Sequence, residues 1–176
     1  AALVPPLSLV RDGAGIYYDP TRQSDLETRI AEAARLPAPR LRRAEALIAA
    51  LTAAGLTKYN LAGAADLPEI PPGRPVVLVP GQVEDDASIR LGAGSVATNL
   101  DLLATARDLH PEGFLIYKPH PDVEAGLRAG AVAEAALDGL ADHVARRADP
   151  VALLARADRV VMMTSALGFE ALLRGV

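Results

Sequence analysis

The residues best suited to chemistry form a short basic segment, Lys118-Pro119-His120-Pro121. Each proline fixes its own φ and restricts the backbone of the residue before it, so the imidazole between them is held rigidly. A rigid imidazole beside an ammonium group suits contact with a phosphate, or donation of a proton to a leaving group. The alternative interpretation is an exposed turn whose basic residues bind nothing.

Two hydroxyl side chains, Thr164 and Ser165, stand at the predicted start of a helix. The first N–H groups of a helix have no partner within it, and the helix dipole is positive at this end. Small hydroxyl residues let a phosphate approach these groups and add donors of their own. The alternative is that one of the two residues only caps the helix.

Three adjacent acids, Glu84, Asp85 and Asp86, follow Gly81 in a third segment. One interpretation is that one of these carboxylates is catalytic, for example as a nucleophile. The alternative is a solvated surface run, because adjacent carboxylates repel one another. The spacing does not distinguish the three acids, and without a further set of ligands the run is a weak candidate for a metal site. Gly81 allows a close backbone approach or an unusual dihedral angle.

The predicted secondary structure places these three segments at one edge of a sheet. Apolar runs predict strands, and helical spacing predicts the helices between them. The strands are predicted over 76–79, 114–117, 143–146 and 160–163, and the helices over 99–109, 151–157 and 165–173, with a loop over 80–95. This alternation predicts an α/β fold, a Rossmann-like parallel sheet with helices on both faces. Ligands bind at the carboxyl ends of such strands, so we expect the three segments to share one rim.

The first part of the chain has a different pattern, which predicts an arm. Residues 5–19 are predicted to form a hairpin or an extended arm, and a short helix from Ser24 to about Ala34 follows. A second, amphipathic helix is predicted over 41–54, ending at Gly55. The Pro- and Gly-rich stretch 66–75 predicts a linker. We therefore divide the chain into an N-terminal arm and linker, 1–70, and a nucleotide-sugar-binding domain, 71–176.

Composition excludes several classes of function. The 176 residues carry a net charge of −4 with acidic and basic residues interspersed, which argues against a nucleic-acid partner. The sequence has no cysteine, so disulfides and thiolate catalysis are excluded, and its three scattered histidines predict no zinc site. No apolar run is long enough to span a bilayer, and residues 1–10 do not resemble a signal peptide. Both ends of the chain look cut, so we expect a fragment of a larger protein.

Four segments of the sequence, in order, resemble the capsule polysaccharide biosynthesis protein family, which includes the retaining β-Kdo transferases of Gram-negative capsules. They are Pro5 to Leu26, Val79 to Leu91, Ile116 to Val123 and Thr164 to Gly175. The resemblance implies half of a GT-B-like glycosyltransferase, with two Rossmann-like domains around a cleft and CMP-β-Kdo as the donor. The family continues past the final helix of this chain and has an acceptor-binding domain, so the resemblance implies that donor binding survives in this chain while transfer does not.

The resemblance also implies roles for the acidic segment. The family pattern of a Gln, an Asp four residues on and then a Ser falls on Gln82, Asp86 and Ser88. By resemblance, Asp86 is the nucleophile that forms a covalent Kdo intermediate and so accounts for retention by double displacement. Gln82 and Ser88 are counted with the nucleotide-binding residues.

The other two segments are implied to hold the nucleotide. His120 contacts the CMP phosphate and protonates it, and Lys118 assists. Thr164 and Ser165 hold the same phosphate at the helix start. Glu170, one turn into that helix, reaches the ribose. No metal or other cofactor is implied, because these groups offset the phosphate charge.

The resemblance implies partners and a location as well. The partners are the CMP-sugar donor, a lipid-linked glycan acceptor and the inner-membrane capsule export machinery, and the location is cytoplasmic and peripheral at the inner membrane. Two other hypotheses remain open. One is a non-catalytic module that assembles with the export machinery, and the other is a different sugar-nucleotide enzyme of GT-B-like fold, such as an epimerase.

Overall fold

The computed structural model describes residues 9–58 and 67–176, whose centre is a four-stranded parallel sheet in the order β3-β2-β1-β4. The elements in chain order are α1 Asp25–Ala33, α2 Ala38–Ala53, β1 Val76–Pro80, α3 Ala87–Gly92, α4 Asn99–Leu109, β2 Phe114–Lys118, α5 Pro121–Glu124, α6 Glu134–Leu137, β3 His143–Val144, α7 Pro150–Leu154, β4 Arg159–Val160 and α8 Ala166–Leu172. Both long strands, β1 and β2, are buried along their whole length.

Two apolar cores cover the two faces of the sheet, because successive strand residues point to opposite sides. On one face, alternate residues of β1 and β2 pack with α7 and α8; on the other, the intervening residues pack with α4. The first core includes Val76, Leu78, Phe114, Ile116, Leu153, Leu154 and Ala171, and the second includes Val77, Val79, Leu115, Tyr117, Leu102, Leu103 and Ala106. The predicted Rossmann-like parallel sheet with helices on both faces is confirmed.

The structure departs from the predicted elements mainly in short pieces. The predicted loop 80–95 contains α3, and two further short helices, α5 and α6, follow β2. These three helices, of four to six residues, show too little periodicity to be recognised from the sequence. β3 and β4 are each two residues long, shorter than predicted, because each pairs with its neighbour over only two positions.

The described part of the N-terminal arm contains two helices. α1 begins at a capping box between Ser24 and Glu27, and α2 ends before Gly55, whose φ of 61° suits glycine. α2 begins earlier than predicted, because Pro37 is its N-cap and Pro39 is accommodated in its first turn. The predicted hairpin is wrong for residues 9–19, which form turns and bends without a strand, while residues 5–8 and 66 lie outside the described residues. The domain boundary at 70/71 stays a prediction.

An ion-pair cluster fastens the outer side of β2. The carboxylate of Asp142 accepts a hydrogen bond from the backbone N–H of Leu115 at 2.8 Å and from the Arg107 guanidinium at 2.7 Å. Arg74 pairs with the other oxygen of the Asp142 carboxylate at 3.1 Å.

Within the described ranges 9–58 and 67–176, no helix is long and apolar enough to cross a membrane.

Candidate functional site

The structure brings the three segments singled out in the sequence together around one cavity at the carboxyl ends of β1, β2 and β4. This arrangement follows from the parallel pairing of β1 with both β2 and β4, which places the three following loops on the same edge. All eight residues predicted for the site line the cavity: Gln82, Asp86, Ser88, Lys118, His120, Thr164, Ser165 and Glu170. Their individual roles stay predictions.

The acidic segment separates into three different environments. Glu84 accepts a hydrogen bond from the backbone N–H of Asn99 at 2.7 Å and so caps α4, and Asp85 forms an exposed ion pair with Arg128 at 2.9 Å. Asp86 is the member of the run that lines the cavity. The structure thereby separates three neighbouring acids that their spacing in the sequence could not distinguish.

Asp86 is an exposed carboxylate that lines the cavity, and it is the N-cap of α3. Its Oδ1 accepts hydrogen bonds from the backbone N–H of Ser88 at 2.9 Å and from the Ser88 hydroxyl at 2.8 Å. These hydrogen bonds hold the pKa of Asp86 below its usual range, against the opposing effect of burial. Asp86 is therefore ionised at neutral pH, the state that a carboxylate nucleophile requires.

Lys118, the last residue of β2, points its ammonium group into a buried position beside the cavity. The residue is 5% exposed and lines the cavity, and Nζ has no hydrogen-bond partner in the described part of the chain. Burial lowers the pKa of Lys118, and the carboxylates of Glu124 and Asp149 oppose that effect. Leaving a buried charged donor without a partner is costly, and an anion bound in the cavity would offset that cost.

His120 is held by its own helix cap. Its Nδ1 accepts a hydrogen bond from the backbone N–H of Asp122 at 3.1 Å, which makes it the N-cap of α5. The neutral ring therefore carries its proton on Nε2, which makes that nitrogen a hydrogen-bond donor. Burial lowers the pKa of His120, and the nearby cations Lys58, Lys118 and Arg128 lower it further, while Asp122 opposes them.

The two hydroxyl residues are not equivalent. Ser165 is the N-cap of α8 and accepts a hydrogen bond from the backbone N–H of Leu167 at 3.2 Å, so its hydroxyl proton is still able to reach a ligand. The Thr164 hydroxyl already acts both as a hydrogen-bond acceptor and as a donor within the protein. Its Oγ1 accepts from Gln82 Nε2 at 2.8 Å and donates to Ser88 Oγ at 3.2 Å.

Gln82 and Glu170 join parts of the site that are distant in sequence. The buried side chain of Gln82 accepts hydrogen bonds through Oε1 from the backbone N–H groups of Met163 at 3.2 Å and Thr164 at 2.9 Å. This contact ties the loop after β1 to the loop after β4. Glu170 accepts a hydrogen bond at 2.6 Å from the backbone N–H of Lys58, a residue of the N-terminal arm.

Three residues that shape the site were not predicted from the sequence. Arg128 and Lys58 line the cavity and add positive charge to it. Asn99 is buried, and its side chain bonds both the N–H and the C=O of Gln82 at 2.8 Å and the C=O of Gly130 at 2.8 Å. No local pattern identifies any of them, because each takes its role from a partner far away in the chain.

The lining of the cavity combines two kinds of group. Lys118, His120 and Ser165 are hydrogen-bond donors, and Asp86 contributes an ionised carboxylate. Such a pair suits a reaction in which an anionic group leaves while a carboxylate attacks the atom it leaves.

The chain is similar in sequence to a known protein family and to several curated proteins. The model of the capsule polysaccharide biosynthesis protein family matches residues 53–176. The capsule polysaccharide modification protein LipA of Neisseria meningitidis serogroup B is 44% identical over 173 residues, which cover 98% of this chain and 24% of LipA. The lipopolysaccharide-processing protein LpsZ of Rhizobium meliloti is 42% identical over 171 residues, covering 96% of this chain and 39% of LpsZ.

Two solved structures of KpsC from Thermosulfurimonas dismutans share the fold. The beta Kdo 2,7 transferase is 34% identical with a TM-score of 0.76, over 93% of this chain and 48% of that one. The beta Kdo 2,4 transferase is 32% identical with a TM-score of 0.77, over 98% of this chain and 54% of that one. The chain therefore spans about a quarter of the length of LipA and about half of each KpsC chain.

Proposed function

The chain belongs to the capsule polysaccharide biosynthesis protein family, and from this premise we propose that it is the donor-binding half of a GT-B-like glycosyltransferase. The proposed reaction transfers Kdo from CMP-Kdo to a lipid-linked glycan with retention of configuration. The observation that carries the proposal is the buried ammonium of Lys118, which has no hydrogen-bond partner among the described residues and lies beside a cavity that also holds the ionised carboxylate of Asp86. The KpsC relatives, described as Kdo transferases, support the choice of sugar.

In this proposal the phosphate of the donor lies against Lys118, His120 and Ser165. The ammonium group, the Nε2–H of the imidazole and the serine hydroxyl all donate hydrogen bonds to the phosphate oxygens. They stabilise the phosphate most when it gains negative charge, as CMP leaves the sugar. The charge of the phosphate is thus offset by protein groups, and the proposed mechanism includes no metal.

The carboxylate of Asp86 acts on the sugar in two steps. It attacks the anomeric carbon, the bond from that carbon to the phosphate oxygen breaks, and the electron pair departs with CMP. The acceptor hydroxyl then attacks the same carbon, loses its proton to solvent and releases the carboxylate. Two inversions at one carbon give net retention.

The location follows from the same proposal. A lipid-linked acceptor requires the enzyme to work at the membrane surface, so we place it at the cytoplasmic face of the inner membrane, in contact with the capsule export machinery. The resemblance to capsule proteins supports this placement.

Nucleotide binding by the purified chain tests the donor assignment. We expect CMP to raise the melting temperature and UDP to leave it unchanged, because the ligand is a cytidine nucleotide. Stabilisation by UDP alone would instead favour an enzyme of UDP-sugars such as an epimerase. If neither nucleotide stabilises the chain, the non-catalytic assembly module becomes the better hypothesis.

Turnover by the full-length enzyme tests the nucleophile. Asp86→Asn keeps a good helix N-cap, so α3 is preserved while the nucleophile is lost. We expect the variant to retain CMP binding and to lose transfer by at least about a thousandfold, the scale of losing a covalent nucleophile. The matched control is Asp85→Asn, which removes the neighbouring exposed carboxylate outside the cavity and leaves transfer unchanged. Normal turnover by Asp86→Asn rules out the mechanism.

A further inference from the structure

Four side chains from three segments are joined in one series of hydrogen bonds that ends at the Asp86 carboxylate. Gln82 Nε2 contacts Thr164 Oγ1 at 2.8 Å, Thr164 Oγ1 contacts Ser88 Oγ at 3.2 Å, and Ser88 Oγ contacts Asp86 Oδ1 at 2.8 Å. The contacts connect the loop after β1, the loop after β4 and the first turn of α3. Residues that lie 82 positions apart in the sequence are thereby joined directly.

The Asp86 carboxylate determines which atom donates and which accepts in each hydrogen bond of this series. The ionised carboxylate of Asp86 can only accept, so the Ser88 hydroxyl must donate to it. With its proton used in this way, Ser88 accepts from the Thr164 hydroxyl. Thr164 in turn has no proton left for Gln82 and accepts from the amide NH₂ group.

The Gln82 end of this series of hydrogen bonds gives the same direction independently. The Oε1 atom of Gln82 lies 3.2 Å from the backbone N of Met163 and 2.9 Å from the backbone N of Thr164. Backbone N–H groups only donate, so this end of the amide is the oxygen and the NH₂ group faces the Thr164 hydroxyl. Each hydrogen bond of this series therefore has its proton directed toward Asp86.

We propose that Gln82, Thr164 and Ser88 form a one-way hydrogen-bond relay that positions Asp86 to attack with its Oδ2 atom. Both hydrogen bonds that Asp86 accepts in the described part of the chain go to Oδ1, and Oδ2 is left for the substrate. In this assignment Thr164 and Gln82 are positioning residues, and Thr164 is not a ligand of the phosphate. The inference rests on the proposed function, since it takes Asp86 as the nucleophile.

The relay acts on both steps of the proposed reaction. In the first step it fixes the rotation of the carboxylate, so that Oδ2 forms the bond to the anomeric carbon while the bond to the phosphate oxygen breaks. In the covalent intermediate Oδ1 is the carbonyl oxygen and still accepts from Ser88. When the acceptor oxygen displaces the carboxylate and its proton goes to solvent, negative charge returns to Oδ1 and the Ser88 hydrogen bond stabilises it. Donation from Thr164 to Ser88 strengthens that bond, because hydrogen bonds in a chain polarise one another.

Variants at Thr164 separate a relay from a phosphate ligand. Thr164→Val removes the hydroxyl and Thr164→Ser keeps it. In the full-length enzyme we expect kcat/KM for Thr164→Val to fall about threefold to tenfold, with Thr164→Ser close to the wild type. The affinity for CMP stays within about twofold in both variants, because this hydroxyl does not touch the phosphate. A clear loss of CMP affinity in Thr164→Val with unchanged kcat would make Thr164 a phosphate ligand and overturn the relay.

A variant at Gln82 reverses the direction of the relay without removing the side chain. Gln82→Glu retains acceptors for the backbone N–H groups of Met163 and Thr164, so the tie between the two loops is kept. The introduced carboxylate cannot donate, and the Thr164 hydroxyl turns to donate to it instead of to Ser88. We expect a loss of kcat/KM similar to that of Thr164→Val, at unchanged CMP affinity. Full activity of Gln82→Glu contradicts the proposed direction.

The pKa of Asp86, followed by ¹³C NMR titration of its carboxyl carbon, tests the relay without any turnover. We expect the pKa to rise most in Ser88→Ala, less in Thr164→Val and not in Thr164→Ser, while circular dichroism confirms that each variant is folded. An unmoved pKa in Thr164→Val overturns the relay even when Asp86→Asn is inactive. Conversely, a raised pKa together with an active Asp86→Asn enzyme rejects the proposed function, and the network then only holds the loops.

Discussion

The buried ammonium of Lys118 should make the ligand-free protein less stable than an apolar variant. Lys118→Met keeps a long unbranched side chain in the same buried position and removes the charge. The Lys118 stem is already buried, so the substitution changes little apolar contact. What it removes is a charged donor that has no hydrogen-bond partner among the described residues.

The size of the effect follows from the burial of this group. Leaving a buried polar group without a partner costs about 1–3 kcal/mol, so Lys118→Met should raise the free energy of unfolding by about that amount. For a chain of this size each kcal/mol corresponds to about 2–4 °C, which predicts a rise in melting temperature of about 2–12 °C. The same variant should lose most of its stabilisation by CMP, because a charge-assisted hydrogen bond to the phosphate is lost.

Thermal unfolding with and without CMP measures both effects. Arg156→Gln is the matched control, because it removes one positive charge from an exposed position just after α7. We expect Arg156→Gln to change neither the melting temperature nor the response to CMP by more than about 1 °C, the range of ordinary surface substitutions. A Lys118→Met protein that is less stable than the wild type, or that still responds fully to CMP, refutes the assignment of Lys118 as an unsatisfied anion ligand.

The dependence on pH gives this prediction a second test. Burial lowers the pKa of Lys118 below its ordinary value of 10.5. Between the lowered pKa and 10.5, the folded protein therefore binds fewer protons than the unfolded chain. Wild-type stability therefore rises with pH across this range, and the advantage of Lys118→Met is largest below the lowered pKa. The advantage should shrink as the pH is raised from the lowered pKa toward 10.5.

Three further predictions concern a glycine, an aspartate and the histidine. Gly130→Ala should lower the free energy of unfolding in urea by about 2–4 kcal/mol, because φ is 127° and the added methyl group lies 2.7 Å from a carbonyl oxygen. Gly126→Ala, whose methyl group meets no atom within 4 Å, should cost about 1 kcal/mol, and equal costs would disprove the clash. Burial raises the pKa of Asp142, but hydrogen bonds, the Arg107 guanidinium first, outweigh it and hold the pKa low. Stability from this group is therefore lost as the pH falls through the lowered pKa, and acid titration of Asp142→Asn should lack that loss. Burial lowers the pKa of His120 and a bound phosphate raises it, so calorimetry in two buffers should show proton uptake on CMP binding. Binding should weaken as the pH rises above the lowered pKa of the ligand-free imidazole, and binding without proton uptake counts against this role.

The main features of the sheet were predictable because they depend on local sequence. The continuous apolar runs of β1 and β2 predict strands buried on both faces, and the structure confirms both strands within one residue. The cap at Ser24 and the glycine at position 55 predict the ends of two helices for equally local reasons. β3 and β4 were predicted too long, because the length of a short edge strand depends on how far its neighbour extends.

The relations within the site could not be predicted in the same way. Asp85 and Asp86 are chemically identical neighbours, and only the backbone turn that starts α3 directs one to Arg128 and the other to the cavity. Thr164 and Ser165 are likewise adjacent hydroxyl residues, yet one enters a hydrogen-bond chain with Gln82 and the other caps α8. Such differences arise from partners that the neighbouring sequence does not specify.

The amino-acid sequence by itself therefore determined the parallel α/β fold and which loops meet at one rim, because side-chain periodicity and parallel pairing are enough to decide both. Only the tertiary structure decided which carboxylate faces the cavity, that the buried Lys118 ammonium has no hydrogen-bond partner within residues 9–58 and 67–176, and that the protons of the relay point to Asp86. Burial and hydrogen bonding depend on the three-dimensional contacts of each atom, and those contacts join residues more than 80 positions apart.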